Sequence, residues 1–190
     1  GRAAFEDTLK RLSNGGILAC GAGMNKAEAA TPTIISENGY TVGFLCFSDV
    51  GPNDLAATET TSGILLASDP NFTTLVEDAA KQVNALIVSF HFGEEYEPKH
   101  SARQEELAKI AIDNGAALIV GHHPHVAEDI GEHAGVPIIY SLGNFIFDQA
   151  FSKETMHGLY VTATLTGKKV KDVTPHTIKL SPNFVPSLVE

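Results

Sequence analysis

Apolar positions recur along this chain in two rhythms, a helical spacing of three to four residues and short unbroken runs, and the two alternate. Phe5, Leu9 and Leu12 share one helical face, and Asn14-Gly15-Gly16 ends the helix they predict. The apolar run Ile17 to Cys20 reads as a strand directly after it. Thr33 to Ser36 and Tyr40 to Phe47 flank Glu37-Asn38-Gly39, and Asn-Gly between apolar runs predicts a hairpin. Ser48 to Ser68 contains Gly51-Pro52-Asn53-Asp54 and many Thr and Ala, which predicts a long loop without a cofactor motif. Asp69-Pro70 is expected to cap a helix that carries Phe72, Leu75, Val76, Ala79 and Val83 on one side. A strand from Ala85 to His91 follows. Ser101 and Gln104 then form a possible capping box before a helix bearing Leu107, Ile110 and Ala111, which Asn114-Gly115 ends ahead of the strand Ala117 to Val120.

Strand, helix and strand in succession make a βαβ unit, so the two strands are expected to be parallel with a right-handed crossover. Both then end in histidine-bearing segments on one rim of the sheet, where open α/β sheets place ligands. Beyond that point Val136 to Ser141, Leu159 to Leu165 and Val170 to Leu180, with turns at Ala134-Gly135 and Thr166-Gly167-Lys168, predict a second, mainly antiparallel layer. No repeat, low-complexity tract or long linker divides the chain, so residues 1–190 read as a single α/β domain.

Composition narrows the function classes. With 190 residues and 43% apolar content the chain can bury one sizeable core. Its formal charge of −10 argues against a nucleic-acid or anionic-membrane surface, which needs clustered Lys and Arg. No apolar run approaches the roughly 20 residues of a membrane-spanning helix, and Gly1-Arg2-Ala3-Ala4-Phe5 does not resemble a signal peptide. Cys20 and Cys46, each in an apolar stretch, read first as buried free thiols, with a disulfide or a metal role as the alternative.

The candidate chemistry lies in the histidines. Gly121-His122-His123-Pro124-His125 follows one apolar run and His91 ends another, which is the layout of a metal site, since neutral imidazole is the commonest protein metal ligand. His123 and His125 alternate around Pro124 and are expected to point together, whereas His122 points elsewhere and reads as a supporting or substrate-facing residue. Glu94-Glu95-Tyr96-Glu97 reads equally as a solvated acidic loop or, from its place just after His91, as part of the site. His100, His133, His157 and His176 carry no motif and read as ordinary surface or structural residues.

In order, His91-Phe92-Gly93-Glu94-Glu95-Tyr96, Pro98, Gln104, Gly121-His122-His123-Pro124-His125-Val126 and Tyr140-Ser141-Leu142-Gly143-Asn144-Phe145 resemble the signature run of the poly-γ-glutamate capsule-synthesis (CapA-type) proteins, within the calcineurin-like metallophosphoesterase superfamily. Phe5 to Gly23 resembles the helix and Gly-rich turn that follow the first half of that domain. The resemblance therefore implies part of a four-layer αββα sandwich with mixed sheets, its carboxyl-terminal portion. It implies one or two divalent transition metal ions (Zn, Mn or Fe) held by His91, His123 and His125, with further ligands in amino-terminal motifs that this sequence does not contain. Phosphoester hydrolysis is the implied reaction. His122 and Glu95 are the candidates for proton transfer or substrate orientation, and Tyr96 and Asn144 for shaping the pocket. Expected partners are an anionic polymer substrate or proteins of the capsule machinery, with self-association or pairing with an amino-terminal segment across an exposed sheet edge, and the expected location is the cell surface or membrane. The competing expectation is a non-catalytic module that binds polymer or partners through the same cleft.

Overall fold

The computed structural model describes residues 1–51 and 53–189; Pro52, part of the predicted loop, lies outside them. Helix α1 (Arg2–Asn14) is the first predicted helix, and its apolar residues Phe5, Leu9 and Leu12 are only half-buried. Polar contacts hold its start: the Arg2 guanidinium donates to the carbonyls of Ser62 and Asp54, and the Ser62 hydroxyl donates to Glu6.

Residues 17–20 do not form the predicted strand. Their recorded bonds run to α1, Ile17 N–H to the Leu12 carbonyl, and from the Thr33 hydroxyl to the Ala19 carbonyl. A strand is defined by its pairing partner, and here Ile17 and Leu18 are left 58% and 66% exposed. The thiol reading is also overturned, because Cys20 and Cys46 are joined in a disulfide with Cα atoms 5.5 Å apart. The close approach is set by Gly21, where any Cβ would overlap the Cys46 backbone. Strand β1 (Ala22–Gly23) and a short helix α2 (Lys26–Ala29), capped by the Asn25 side chain, complete this segment.

Strands β2 (Thr33–Glu37) and β3 (Tyr40–Ser48) form the predicted hairpin, with Asn38 and Gly39 both at positive φ (51° and 79°), as a two-residue turn that follows strand twist requires. The long loop holds a 3₁₀ turn at Asn53–Leu55 and strand β4 (Gly63–Ile64), which pairs with β1. Helix α3 (Phe72–Lys81) begins later than Asp69-Pro70 suggests. The Asp69 carboxylate accepts an Asx-type bond from the Asn71 N–H at 2.8 Å, and Val83 falls beyond the helix end. Strand β5 (Ala85–His91), helix α4 (Ala102–Asp113) with its complete Ser101/Gln104 capping box, and strand β6 (Ala116–His122) form the βαβ unit, with β5 and β6 parallel.

Strand β7 (Ile130–His133) and strand β8 (Val136–Ile139) form a hairpin, and here the layer prediction is corrected: β8 pairs parallel to β6 within the main sheet rather than in the second layer. The main sheet runs β2-β3-β5-β6-β8-β7, with its two edge strands antiparallel to their neighbours. Strand β9 (His157–Thr166), strand β10 (Lys169–Leu180) and strand β11 (Pro186–Leu188) make the antiparallel second sheet.

One face of the main sheet is covered by α3 and α4. Leu45, Phe47, Phe72, Val76, Phe90, Phe92, Leu107 and Ile119 form a continuous core there, with Phe90 and Phe92 stacked at 5.0 Å. Full burial of each such side chain contributes roughly 1.5–3 kcal/mol. The opposite face, through Ala85, Ala117, Leu118 and Ile139, packs on Val170, Val161 and Leu165 of the second sheet. Ala117 and Leu118 share that face because the β5–β6 register shifts between Leu86 and Ile87. The fold is thus a mixed α/β sandwich whose described residues supply three layers: helices, main sheet and second sheet. Between the sheets lies a cavity of about 430 Å³ lined by Phe44, Ile87, Val120, Leu142 and Val161.

Candidate functional site: histidines at one rim of the main sheet

Parallel strands that end together bring distant residues to one rim. In register, Ser48 at the end of β3 sits opposite His91 at the end of β5, and His91 sits opposite His122 at the end of β6. The loops that follow are stitched to one another: Asp49 N–H donates to the His91 carbonyl at 2.9 Å, Phe92 N–H to His122 at 3.1 Å, and Tyr96 N–H to Pro124 at 2.8 Å. Arg103, in the first turn of α4, grips both carboxylate oxygens of Asp49 at 3.0 and 3.1 Å. That pair fixes the helix start against the rim.

These loops are strained. Tyr96, His123 and His125 hold φ at 67°, 107° and 61°, and Gly93 at 95°. Such conformations cost side-chain-bearing residues of order 1–3 kcal/mol each and persist only where their surroundings over-determine them. They cluster here in the residues the sequence singles out for chemistry.

The structure brings three of the predicted metal ligands side by side. The rings of His91 and His123 lie 4.6 Å apart and those of His123 and His125 6.3 Å apart. Nδ1 of His125 is 2.9 Å from Oδ1 of Asn144, an acceptor, so Nδ1 carries the proton and Nε2 keeps its lone pair. Asn144 is itself fixed by donating to the Thr155 carbonyl at 3.0 Å. Tyr96 stacks on His125 with centroids 6.1 Å apart. Glu95 is exposed on the acidic loop, near enough to His123 for its charge to be felt. His122 stands apart: its ring lines the cavity between the two sheets.

Electrostatics favour neutral rings. His91 stays exposed on one side, and partial desolvation by the protein around the rest of its ring, then the neighbouring histidines with His123 foremost, hold it below the usual imidazole range. Burial outweighs the opposing pull of Glu95 and Glu94 at His123, and burial lowers His122 as well. His122 is accessible to solvent through the cavity while protein atoms surround it on its other sides. Neutral imidazole is the form that ligates metal. The donor chemistry, including the amide-oriented His125, therefore fits a borderline transition metal. Among the described residues no group of three or more His, Cys, Asp or Glu closes around one ion. The histidines thus fit part of an open ligand set rather than a complete cage.

Several residues of the site have no motif in the sequence. Phe147 lies 4.7 Å from the His125 ring and Phe151 packs edge-on to Tyr96 at 5.0 Å, while the Gln149 amide donates to the Tyr96 hydroxyl at 3.1 Å. The one signal that points to them is the apolar run Phe145-Ile146-Phe147 lying outside any predicted element; these three are 41–68% exposed.

Residues 1–149 match the bacterial capsule synthesis protein family PGA_cap. Among curated proteins the chain is 37% identical over 154 residues to the PGA biosynthesis protein CapA of Bacillus subtilis, covering 80% of this chain and 40% of that protein. It is 35% identical over 185 residues to the capsule biosynthesis protein CapA of Bacillus anthracis, covering 94% and 45%. A probable polyglutamine synthesis accessory protein of Mycobacterium tuberculosis is 29% identical over 182 residues, covering 86% and 48%. The chain thus spans less than half the length of these relatives. A match over residues 1–149 that contains the whole histidine rim means that this chain belongs to the bacterial capsule synthesis protein family PGA_cap.

Proposed function

We propose that this chain takes part in poly-γ-glutamate capsule biosynthesis and contributes the histidine half of a metal-dependent, phosphoesterase-like hydrolytic site. The observation that carries the reading is the convergence of His91, His123 and His125 at the ends of two parallel strands, with His125 oriented by Asn144. His91 and His123 would hold one divalent transition ion (Zn, Mn or Fe) and His125 a second. Such a pair of ions supplies Lewis acidity and an activated water for an in-line displacement. The protein's own groups do the rest. Asn144 sets the His125 tautomer, Tyr96 with Phe147 and Phe151 borders one side of the site, and Glu95, whose charge reaches His123, is the candidate for proton transfer, whereas His122 lines the inter-sheet cavity instead.

A second reading has one observation in its favour. Phe145, Ile146, Phe147 and Phe151 are exposed beside the site, and an apolar surface of this kind suits a partner protein of the capsule machinery. Under that reading the cleft binds without turnover. The net charge of −10 opposes direct capture of an anionic polymer unless cations intervene.

Metal titration followed by calorimetry tests the first reading. We expect zinc or manganese to bind the wild-type protein, and His123→Ala and His125→Ala each to weaken binding while His157→Ala leaves it unchanged. Failure of any transition ion to bind would remove the metal site. Binding with no hydrolysis of a phosphoester, in the full-length protein, would favour the partner reading.

A further inference from the structure

We propose that Gln104 and Glu128 form a buried positioning brace that holds the two histidine loops in the geometry their ligand role requires. The inference rests on the metal-site reading above. It concerns residues to which no function is assigned.

Gln104 is fully buried and Glu128 is 5% exposed, in the core beneath the histidine rim. The Gln104 side chain is used twice. Its Oε1 accepts from the Ser101 N–H at 2.8 Å to complete the α4 capping box, and its Nε2 donates to Glu128 Oε2 at 2.7 Å. The same amide packs directly under Gly93: a Cβ at that position would stand 2.7–2.9 Å from its Nε2, Cδ and Oε1. One glutamine therefore touches the loop after His91 and grips the loop that runs on from His125.

Glu128 is anchored from its other side as well. Its N–H donates to the Ser141 carbonyl at 3.2 Å, and the Ser141 hydroxyl donates to the Val126 carbonyl at 2.7 Å. The brace thus links the start of α4, the β5 loop, the β6 loop and the segment leading to Asn144. Apolar residues would pack such a position more cheaply, because a buried polar group costs about 1–3 kcal/mol when left without a partner. Glu128 Oε1 is the buried side-chain atom without a hydrogen-bond partner among the described residues. A carboxyl kept at that cost needs a return. The strained backbones of Tyr96, His123 and His125 supply the reason, since conformations of that kind hold only where rigid contacts fix both flanks.

The test uses Glu128→Met, which keeps the bulk and removes the bond, Glu128→Asp, which keeps the carboxyl and loses the reach, and Glu128→Gln, which keeps the acceptor for Gln104. Zinc affinity and the ¹⁵N-imidazole spectrum of the metal-free protein are read for each. We expect zinc affinity to fall roughly 10-fold in the Met and Asp variants, the low end of what losing a ligand's own outer partner costs, since Glu128 acts on the ligand loops and not on a ligand ring. The His123 and His125 imidazole signals should move in those variants while those of His133 and His157 stay. Glu128→Gln should restore both readouts to wild-type behaviour. If Glu128→Met does not fold, the Asp variant and Gln104→Met carry the same expectation. Wild-type affinity and an unchanged imidazole spectrum in the Met or Asp variant would overturn the brace, as would a loss in Glu128→Gln equal to that in Glu128→Met. Should the wild-type protein bind no zinc, the metal reading fails separately, and the brace is judged by the metal-free spectrum alone, where unmoved signals overturn it.

Discussion

His91 and His123 stand with their rings 4.6 Å apart although helix α4 and strand β6 separate them in the chain. Two parallel strands end in step with His91 opposite His122, and His123, the residue after the last ladder position of β6, turns onto the same rim. Their mutual proximity is one cause of the lowered affinity of His91 for protons, after burial. At His123 burial, with His125 adding to it, acts in the same direction.

The strain at His123 should be measurable as a trade between stability and binding. Its φ of 107° favours glycine. We expect His123→Gly to raise the unfolding free energy of the metal-free protein by about 1 kcal/mol or more, and His123→Ala to give no such gain. Both should weaken metal binding. Urea denaturation of the metal-free variants checks the first point, and a glycine variant less stable than the alanine variant would refute it.

Orientation of His125 depends on one amide. With Asn144 Oδ1 accepting from Nδ1–H, Asn144→Ala frees the ring to rotate and to change tautomer. Metal affinity should fall by roughly 10-fold or more, in line with the loss of other outer hydrogen-bond partners of ligand histidines. Asn144→Asp should retain most of it, because a carboxylate oxygen accepts the same bond. Calorimetric titration of the two variants decides between them.

Glu128 predicts a specific pH dependence. Burial foremost, with Asp129 adding to it, holds this carboxyl above the ordinary value of 4.5, against the opposing hydrogen bond from Gln104 and the charge of His100. A raised acid favours the neutral folded form. Its contribution is fully present below pH 4.5 and is lost as pH rises through the elevated folded value. Glu128→Gln has no ionisation to lose. The stability of this variant relative to wild type should therefore increase as pH is raised above about 4.5, and a difference that stays flat over that rise would contradict the assignment.

The disulfide should stabilise the fold through its unfolded state. Cys20 and Cys46 close a loop with a sequence separation of 26, for which the chain-entropy relation gives about 3.5 kcal/mol. The Cys20→Ser/Cys46→Ser double variant should lose about that amount. A reductant should then destabilise wild type and leave the variant unchanged, as followed by thermal denaturation.

Gly121 tests the packing behind the site. A Cβ there would overlap the Tyr140 carbonyl and stand 2.5 Å from the Phe92 ring, neither of which can retreat from the core. We expect Gly121→Ala to destabilise the protein by about 3 kcal/mol, at the upper end for overpacking, and to broaden the histidine signals one residue further on. Near-wild-type stability would show that the β6 rim is more compliant than this packing implies.

Much of this was legible locally. The Ser101/Gln104 box, the Asn38-Gly39 hairpin and the alternation around β5, α4 and β6 are decided by hydrogen bonds and side-chain faces within a few residues, and the structure carries each of them. So was the grouping of His91 with His123 and His125, because parallel strands of one βαβ unit must end on the same rim. The errors have a common origin. Ile17 to Cys20 has the composition of a strand but no partner to pair with. Val136 to Ile139 has the look of a second layer, yet its place in the main sheet depends on β6 offering a free edge.

By itself the sequence determined where most of the main helices and strands form, that the chain is an α/β protein, and that His91, His123 and His125 gather on one rim of the sheet. Those outcomes follow from periodicity, capping and propensity, which act over one or two turns of chain. Only the tertiary structure decided that Cys20 meets Cys46, that His122 faces the inter-sheet cavity rather than its neighbours, that Phe147 and Phe151 wall His125, and that a buried glutamine and glutamate tie the loops together. Each of those contacts joins residues far apart in sequence. They form because burying the two faces of the main sheet at once leaves few ways to arrange what lies between, a constraint that belongs to the whole packed domain and to no local stretch of it.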